Sequence, residues 1–253
     1  MDYIKYTQEM FDGFPMIGGI KQCPSGNYSE IKHFTEHCSF GEYSIFGNNT
    51  CFDSLCNFGE YCNFWEKCLF NSGHFGLSCD FGANCDFKND CHFGAFCNFD
   101  HECYFGINCN FGEYSKFESY SIFKECCSFG RNCRFQSGCY FGDDCRFGDA
   151  CRFFNNCKFY ENCWFGDYTV FDDYCKCEFG EFDKMISCSG FGSAGATIYF
   201  FHLTDGEICV RHGYFTGTLD EWISPKSDIH EGASLKPAYL ALIPAVKAQF
   251  GVN

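Results

Sequence analysis

Phenylalanine recurs at a fixed interval through the middle of the chain. It occupies every sixth position from Phe34 to Phe70 and, after one step of five residues, every sixth position from Phe75 to Phe171, which makes 24 repeats. Two residues before each Phe lies a small side chain, Cys in most repeats and Ser, Thr or Gly in others; Lys32 is the exception. Because residues i and i+2 of a strand point to the same face, each repeat predicts one short strand with two buried side chains.

Glycine marks a longer period within the same pattern. It follows every third Phe without exception, whereas residues of many kinds follow the others. The glycines of this set are Gly41, Gly59, Gly76, Gly94, Gly112, Gly130, Gly148 and Gly166. Three strands and three corners therefore form one coil of 18 residues, and one corner needs a backbone that Gly adopts most readily. The sequence predicts a mainly β, triangular solenoid of about eight such coils.

The repeat F-G-x-x-C-x resembles the hexapeptide repeat of left-handed parallel β-helix proteins, from residue 34 to about residue 180. Phe stands in the usual aliphatic position and Cys in the usual small position. A bulky ring beside a small thiol is consistent with close packing. The resemblance implies a left-handed coil, and the expected fold is a left-handed parallel β-helix.

The two ends of the chain lack the six-residue period. The N-terminal end is rich in apolar residues that can cover the first coil, as the ends of solenoids require. After Phe179 the composition changes to a conventional α/β pattern. We expect an N-terminal cap at 1–33, the β-helix at 34–182 and a C-terminal module of a hairpin and helices at 190–253.

Several local patterns define the C-terminal module. Strand-like segments at 197–203 and 207–213 are separated by Thr-Asp-Gly, which predicts a hairpin. Thr218 and Glu221 have the spacing of a capping box at a helix start, and a second helix is predicted from Ser234 onward. The segment VRHGYFTGTLDEW is similar to small C-terminal modules of uncharacterised bacteriophage and bacterial proteins, some with C-x-F-G repeats. That resemblance implies a phage protein in the bacterial cytoplasm.

The chain contains 24 cysteines, most of them in the small position of the repeat. Stacked thiolates are ligands for soft metals or iron–sulfur clusters, but Ser or Thr replaces Cys in five repeats and no C-x-x-C pair occurs. We therefore expect the thiols to pack as small apolar groups, with no metal and no cofactor. Coils about 4.8 Å apart hold Cβ atoms farther apart than the ~3.8 Å of a disulfide, so reduced thiols and a cytoplasmic location are predicted.

Composition and charge exclude other classes of protein. An aromatic content of 21% excludes intrinsic disorder. No apolar run approaches the ~18 residues of a membrane-spanning helix, and the first ten residues lack an export pattern. A formal net charge of −15 disfavours duplex DNA as a partner.

Basic residues are ordered along the outward positions. Lys116, Arg134 and Arg152 are 18 residues apart and are predicted to stack on successive coils, with Arg146 and Lys158 on flanking faces. Outward aromatic residues nearby are Phe154, Tyr140 and Trp164. Cations about 5 Å apart repel by roughly 1 kcal/mol in water, so this arrangement favours an anion. We predict a phosphate or nucleotide site, with a solvated face or a subunit interface as the alternatives.

Catalysis is the main competing interpretation. Hexapeptide-repeat proteins are often trimeric acyltransferases that use a His in a groove between protomers. Only His74, His92 and His101 lie within the regular repeats, and no long loop interrupts the coil. The resemblance, together with outward aromatic side chains such as Trp65 and Tyr160, predicts a homotrimer.

The expected function is therefore non-catalytic binding. The protein is predicted to be a phage-encoded inhibitor of bacterial defence that sequesters an anionic nucleotide signal or blocks a defence protein. An acyl-CoA-dependent acyltransferase is the first alternative. An acidic mimic of DNA is the second, because Asp and Glu are frequent at the predicted corners.

Overall fold

A computed structural model describes residues 3–166, 168–172, 175–191, 196–212, 215–224 and 236–252. The chain divides into two units, Met1–Val170 and Phe171–Asn253. The first unit contains the cap and the regular repeats. None of the helices in the described ranges has the length and apolar character needed to cross a bilayer.

The first unit consists of one short helix and a long series of short strands. Its first elements are α1 (Gln8–Asp12), β1 (Met16–Ile17), β2 (Ile20–Cys23), β3 (His33–Phe34), β4 (Cys38–Phe40), β5 (Ile45–Phe46), β6 (Cys51–Phe52), β7 (Cys56–Phe58), β8 (Asn63–Phe64) and β9 (Leu69–Phe70). The next are β10 (Gly73–Phe75), β11 (Asp80–Phe81), β12 (Asp86–Phe87), β13 (His92–Phe93), β14 (Asn98–Phe99), β15 (Tyr104–Phe105), β16 (Asn110–Phe111) and β17 (Lys116–Phe117). The last are β18 (Ile122–Phe123), β19 (Ser128–Phe129), β20 (Arg134–Phe135), β21 (Tyr140–Phe141), β22 (Arg146–Phe147), β23 (Arg152–Phe153), β24 (Lys158–Phe159) and β25 (Trp164–Phe165), followed by β26 (Val170–Phe171) at the unit boundary.

Every third strand belongs to the same sheet, so the chain winds around three faces. Face A contains β5, β8, β11, β14, β17, β20 and β23; face B contains β4, β7, β10, β13, β16, β19, β22 and β25; face C contains β3, β6, β9, β12, β15, β18, β21 and β24. Neighbouring strands of a face are parallel, and Phe pairs with Phe, as between Phe99 and Phe117. The predicted parallel β-solenoid of about eight coils is confirmed.

The interior is filled by stacked rings and thiols. Phe105 is fully buried, and its ring stacks on those of Phe87 and Phe123 in adjacent coils at centroid distances of 4.9 and 4.7 Å. Within one coil, Phe105 contacts Phe99 and Phe111 edge to face, at 5.1 and 5.0 Å. Both geometries are favourable for aromatic pairs, so each ring gains contacts along the coil axis and around it.

Cysteines occupy the small position with their thiols bonded to the backbone. Cys103 is buried, and its Sγ donates to the carbonyl oxygen of Gly82, 3.6 Å away in the preceding coil. Where Ser replaces Cys, as at Ser115, the hydroxyl donates at 3.0 Å to the carbonyl of Gly112, which is only three residues earlier in the chain. All 24 cysteines are free, as predicted.

The corners depend on a backbone conformation that the sequence pattern did not predict. The residue before the small position has φ near +60°, as at Asn108 (59°) and Tyr114 (60°). Among the described residues, nineteen other than Gly adopt positive φ. The Gly that follows every third Phe was expected for its backbone freedom. Its φ is not in this region, so another cause requires Gly there. A Cβ on Gly112 would lie 2.4 Å from the nitrogen of Ala95, so the close approach of successive coils excludes a side chain there.

The single five-residue step does not disturb the pairing. Gly73 occupies the small position opposite Cys56, and Phe75 pairs with Phe58, so the corner before β10 absorbs the missing residue. At the N-terminal end, the buried ring of Tyr28 stacks on Phe46 at 5.5 Å. This ring continues the aromatic stack, and the ring of Tyr6 stacks on it in turn at 4.8 Å.

The second unit is an antiparallel sheet with two helices. Its elements are β27 (Cys175–Cys177), β28 (Gly180–Phe191), β29 (Ala196–Leu203), β30 (Ile208–His212), β31 (Phe215–Thr218), α2 (Leu219–Ile223) and α3 (Lys236–Phe250). β29 and β30 form the predicted hairpin, and the capping box of Thr218 and Glu221 is present. The predicted helix start at Ser234 lies outside the described residues. The unit boundary falls after Val170, whereas the sequence pattern places the end of the repeats at residue 182.

Candidate functional site

Three cations lie side by side on face A. Lys116 pairs in register with Arg134, and Arg134 pairs with Arg152, in three successive coils. Beneath Lys116 and Arg134, the rings of Phe117 and Phe135 stack with their centroids 4.9 Å apart. This distance is the spacing between two successive coils. All three basic side chains are exposed. We call Lys116, Arg134 and Arg152 the basic ladder.

The basic ladder occupies one end of a face that is otherwise neutral or acidic. The preceding outward residues are Asn63, Asp80 and Asn98, and the amide of Asn98 donates to the carboxylate of Asp80 at 2.8 Å. Within the described part of the chain, no acidic side chain forms an ion pair with Lys116 or Arg134. Like charges at this spacing repel by about 1 kcal/mol in water, so an anion beside Lys116 and Arg134 would relieve their repulsion.

An aromatic ring lies beside the last cation of the ladder. The guanidinium carbon of Arg152 is 4.6 Å from the centroid of the Phe154 ring, a cation–π geometry. Phe154 directly follows β23 and is half-buried. The contact holds the guanidinium of Arg152 on face A.

The other predicted site residues lie on the two other faces. On face C, Nζ of Lys158 lies 4.8 Å from the ring centroid of Tyr140 and donates to its hydroxyl at 3.1 Å. On face B, Arg146 pairs in register with Trp164, and both are exposed. The structure therefore brings four of the eight predicted residues together around the basic ladder and separates the rest into two pairs.

A shallow recess of about 460 Å³ lies at the corner that follows face C. Ile122, Tyr140 and Tyr160 form its apolar wall, and Lys124 and Glu125 lie at its edge. The recess is on the same face as the Tyr140–Lys158 pair and not on the face of the basic ladder. It presents aromatic surface together with the cation of Lys124.

The histidines within the repeats are on the outside. His74 and His92 pair in register on face B with ring centroids 4.8 Å apart, and desolvation followed by the charge of His92 lowers the pKa of His74. His101 contacts the carboxylate of Asp100 at 2.8 Å, and this hydrogen bond raises the pKa of the imidazole. Both side chains of the second pair are more than half exposed at 53%. Neither pair has a nucleophile in contact among the described residues.

The interior thiols are not suited to catalysis. The hydrogen bond with Cys38, together with burial, raises the pKa of Cys56, and the hydrogen bond with Cys85, together with burial, raises that of Cys68. A thiol with a raised pKa remains protonated at neutral pH and is a poor nucleophile. Hydrogen bonds with neighbouring thiols lower the pKa of Cys79 and of Cys109, but both side chains are fully buried. Burial closes the interior columns to a substrate, so their thiols act as packing groups.

Comparison with models of protein families, with curated proteins and with solved structures finds no match to this chain. The chemistry of the surface therefore carries the functional argument. On face A that surface is a row of three exposed cations in register.

Proposed function

We propose that this protein is a non-catalytic binding protein that sequesters an anionic nucleotide on the basic ladder. The observation that carries the proposal is the registered row of Lys116, Arg134 and Arg152 on adjacent parallel strands. Arginine side chains donate paired N–H groups to phosphate oxygens, and such charge-assisted hydrogen bonds are about twice as strong as neutral ones. The ring of Phe154 supplies a surface next to the ladder for stacking of a base.

The rigidity of the scaffold supports binding. Each cation projects from a strand whose neighbouring Phe is buried in the stacked core, as Phe135 is beside Arg134. Because the strands are fixed before a ligand arrives, little backbone entropy is lost on association. A preformed row of charges therefore favours high-affinity binding of a ligand rather than its catalytic conversion.

We further propose that the protein is phage-encoded, acts in the bacterial cytoplasm and inhibits a host defence by removing its nucleotide signal or by blocking a defence protein. The support is the similarity of the C-terminal segment to phage modules and of the repeats to left-handed hexapeptide β-helices. A homotrimer is part of this proposal, supported by exposed aromatic residues such as Trp65 at 47% and Tyr160 at 57% exposure. A monomeric mass in sedimentation equilibrium would contradict the proposed trimer.

The test is mass spectrometry of small molecules released from the purified, heat-denatured protein, followed by calorimetry. The probes are cyclic dinucleotides and ADP-ribose derivatives, with the unmodified nucleosides as matched uncharged controls. We expect an anionic nucleotide to be released or to bind, and the nucleosides not to bind. Protein that holds no nucleotide and has no affinity for any probe would contradict sequestration. If such protein instead retains a host protein in a pull-down, the blocking function is supported.

Acyl transfer is a second candidate because one histidine has an orienting carboxylate. His101 contacts Asp100, the arrangement that a general base requires, although both lie on an exposed corner. If the protein turns over acyl-CoA and His101→Ala abolishes this activity, the protein is an acyltransferase, and the proposal of non-catalytic binding is wrong.

A further inference from the structure

A cluster of three metal-ligating side chains lies near the N-terminal end of face C, away from the basic ladder. His33 in β3 and Cys51 in β6 are paired in register on adjacent parallel strands. Asp53 directly follows β6, and its Oδ1 lies 2.9 Å from Sγ of Cys51. One ligand atom from each of the three residues lies within 4.8 Å of the other two.

From this juxtaposition we propose that His33, Cys51 and Asp53 form a binding site for a Zn²⁺ ion. Imidazole nitrogen, thiolate sulfur and carboxylate oxygen are all donors that zinc accepts. The three residues occupy three of the four tetrahedral positions, and water occupies the fourth. The site is independent of the proposed nucleotide binding, since it lies on another face and uses none of the same residues.

The distances are suited to zinc after a small adjustment. Sγ of Cys51 already lies 2.9 Å from Oδ1 of Asp53 and donates its proton to that oxygen. Tetrahedral bonds of about 2.0–2.3 Å hold ligand atoms about 3.3–3.8 Å apart, so rotation of the exposed His33 side chain completes the geometry. Coordination removes the thiol proton to solvent, and the cation takes its place between sulfur and carboxylate.

The segment that carries the ligands is held in place by its neighbours. The nitrogen of Asp53 donates to the carbonyl of Phe34 at 3.0 Å, and its carbonyl accepts from the amide of Asn71 at 2.9 Å. The hydroxyl of Ser54 donates to the carbonyl of Thr35 at 2.8 Å. The backbone that carries Asp53 is thus anchored to the coils on both sides, which preorganises the ligands.

Cys51 also differs from the cysteines of the core. Its side chain lies at an outward position of face C, where the other coils carry residues such as Leu69, Asp86 and Tyr104. It is half-buried and contributes nothing to the interior column, in which Thr50 occupies the small position of that repeat. Packing therefore does not account for a thiol at this place. Among the residues that the structure describes, this is the one group of three such ligands within the stated distance.

The experiment is calorimetric titration of the full chain with Zn²⁺, repeated with Co²⁺ while thiolate-to-cobalt charge-transfer absorption is recorded. We expect one equivalent of metal and a charge-transfer band. Cys51→Ser and His33→Ala should each weaken zinc binding by at least about a hundredfold, since even outer ligand partners change affinity by ~10–100-fold. Cys126→Ser is the matched control, because it removes an exposed cysteine elsewhere and should leave affinity and absorption unchanged.

Two results would overturn the site. One is wild-type protein that binds no Zn²⁺. The other is an unchanged zinc affinity: if Cys51→Ser and His33→Ala both bind Zn²⁺ as tightly as the wild type does, other thiols hold the metal. Circular dichroism of each variant establishes that its coils are intact, as expected for outward side chains.

Discussion

Replacing Phe105 by Ala is expected to lower the free energy of unfolding by about 3–5 kcal/mol. Its ring is fully buried and contacts six other Phe rings, two stacked and four edge to face. The substitution removes apolar surface from the core and leaves a cavity that the rigid coils above and below cannot fill. Urea denaturation followed by circular dichroism measures the change.

Asn110→Ala is the matched control for this prediction. Asn110 lies on the neighbouring strand, is exposed, and its amide contacts only the carbonyl of Asn108 at 3.3 Å. Its loss should change the unfolding free energy by no more than about 0.5 kcal/mol, as is usual for surface positions. Equal stability of Phe105→Ala and Asn110→Ala would contradict the stacked core.

Arg134→Glu is expected to weaken binding of an anionic nucleotide by about a hundredfold or more. Arg134 is the middle of the basic ladder, so its loss removes charge-assisted hydrogen bonds worth about 1.5–3 kcal/mol, and the new carboxylate repels the ligand. The side chain is exposed and the substitution leaves Phe135 in the core, so folding should be retained. Calorimetry with the nucleotide that the wild type releases or binds measures the effect.

Lys124→Glu makes the same change of charge away from the ladder. Lys124 is exposed at the corner after face C, beside the recess formed by Ile122, Tyr140 and Tyr160. If the ligand binds the basic ladder, this variant should retain affinity within about threefold, the loss that general screening of a distant charge allows. Equal losses in the two variants would show that net charge, and not the row of cations, determines binding.

The faces of the solenoid were predictable because the spacing of side chains is fixed by geometry. A strand alternates its side chains and a coil of constant length returns them to the same column, so Lys116, Arg134 and Arg152 could be placed together from their numbers alone. The hydrogen bonds that let Cys and Ser exchange in the small position follow from the same repeat. The regular core therefore needed no tertiary information.

Other features depend on contacts between residues that no period connects. The positive φ of residues such as Tyr61 and Asn108 arises from closure of the corner and not from residue type. The ion pair of the buried Lys21 with Glu36 at 2.8 Å forms where the cap meets the first coil.

The metal-ligating cluster was missed for a related reason. His33 and Cys51 differ by 18 positions and therefore share a column, but no metal motif has that spacing in a linear sequence. Arranging the chain in coils would have placed them side by side. The position of Asp53 beside Cys51 depends on the corner that follows β6.

The central claim is that the row of cations on face A binds the phosphates of an anionic nucleotide. The most direct test is calorimetric titration of the wild-type protein with orthophosphate, pyrophosphate and linear triphosphate at one ionic strength. Because each additional phosphate reaches a further cation of the basic ladder, affinity should rise by about tenfold with each step, and Arg134→Glu should abolish the rise. Equal affinity for the three anions, or binding of none of them, would contradict the account.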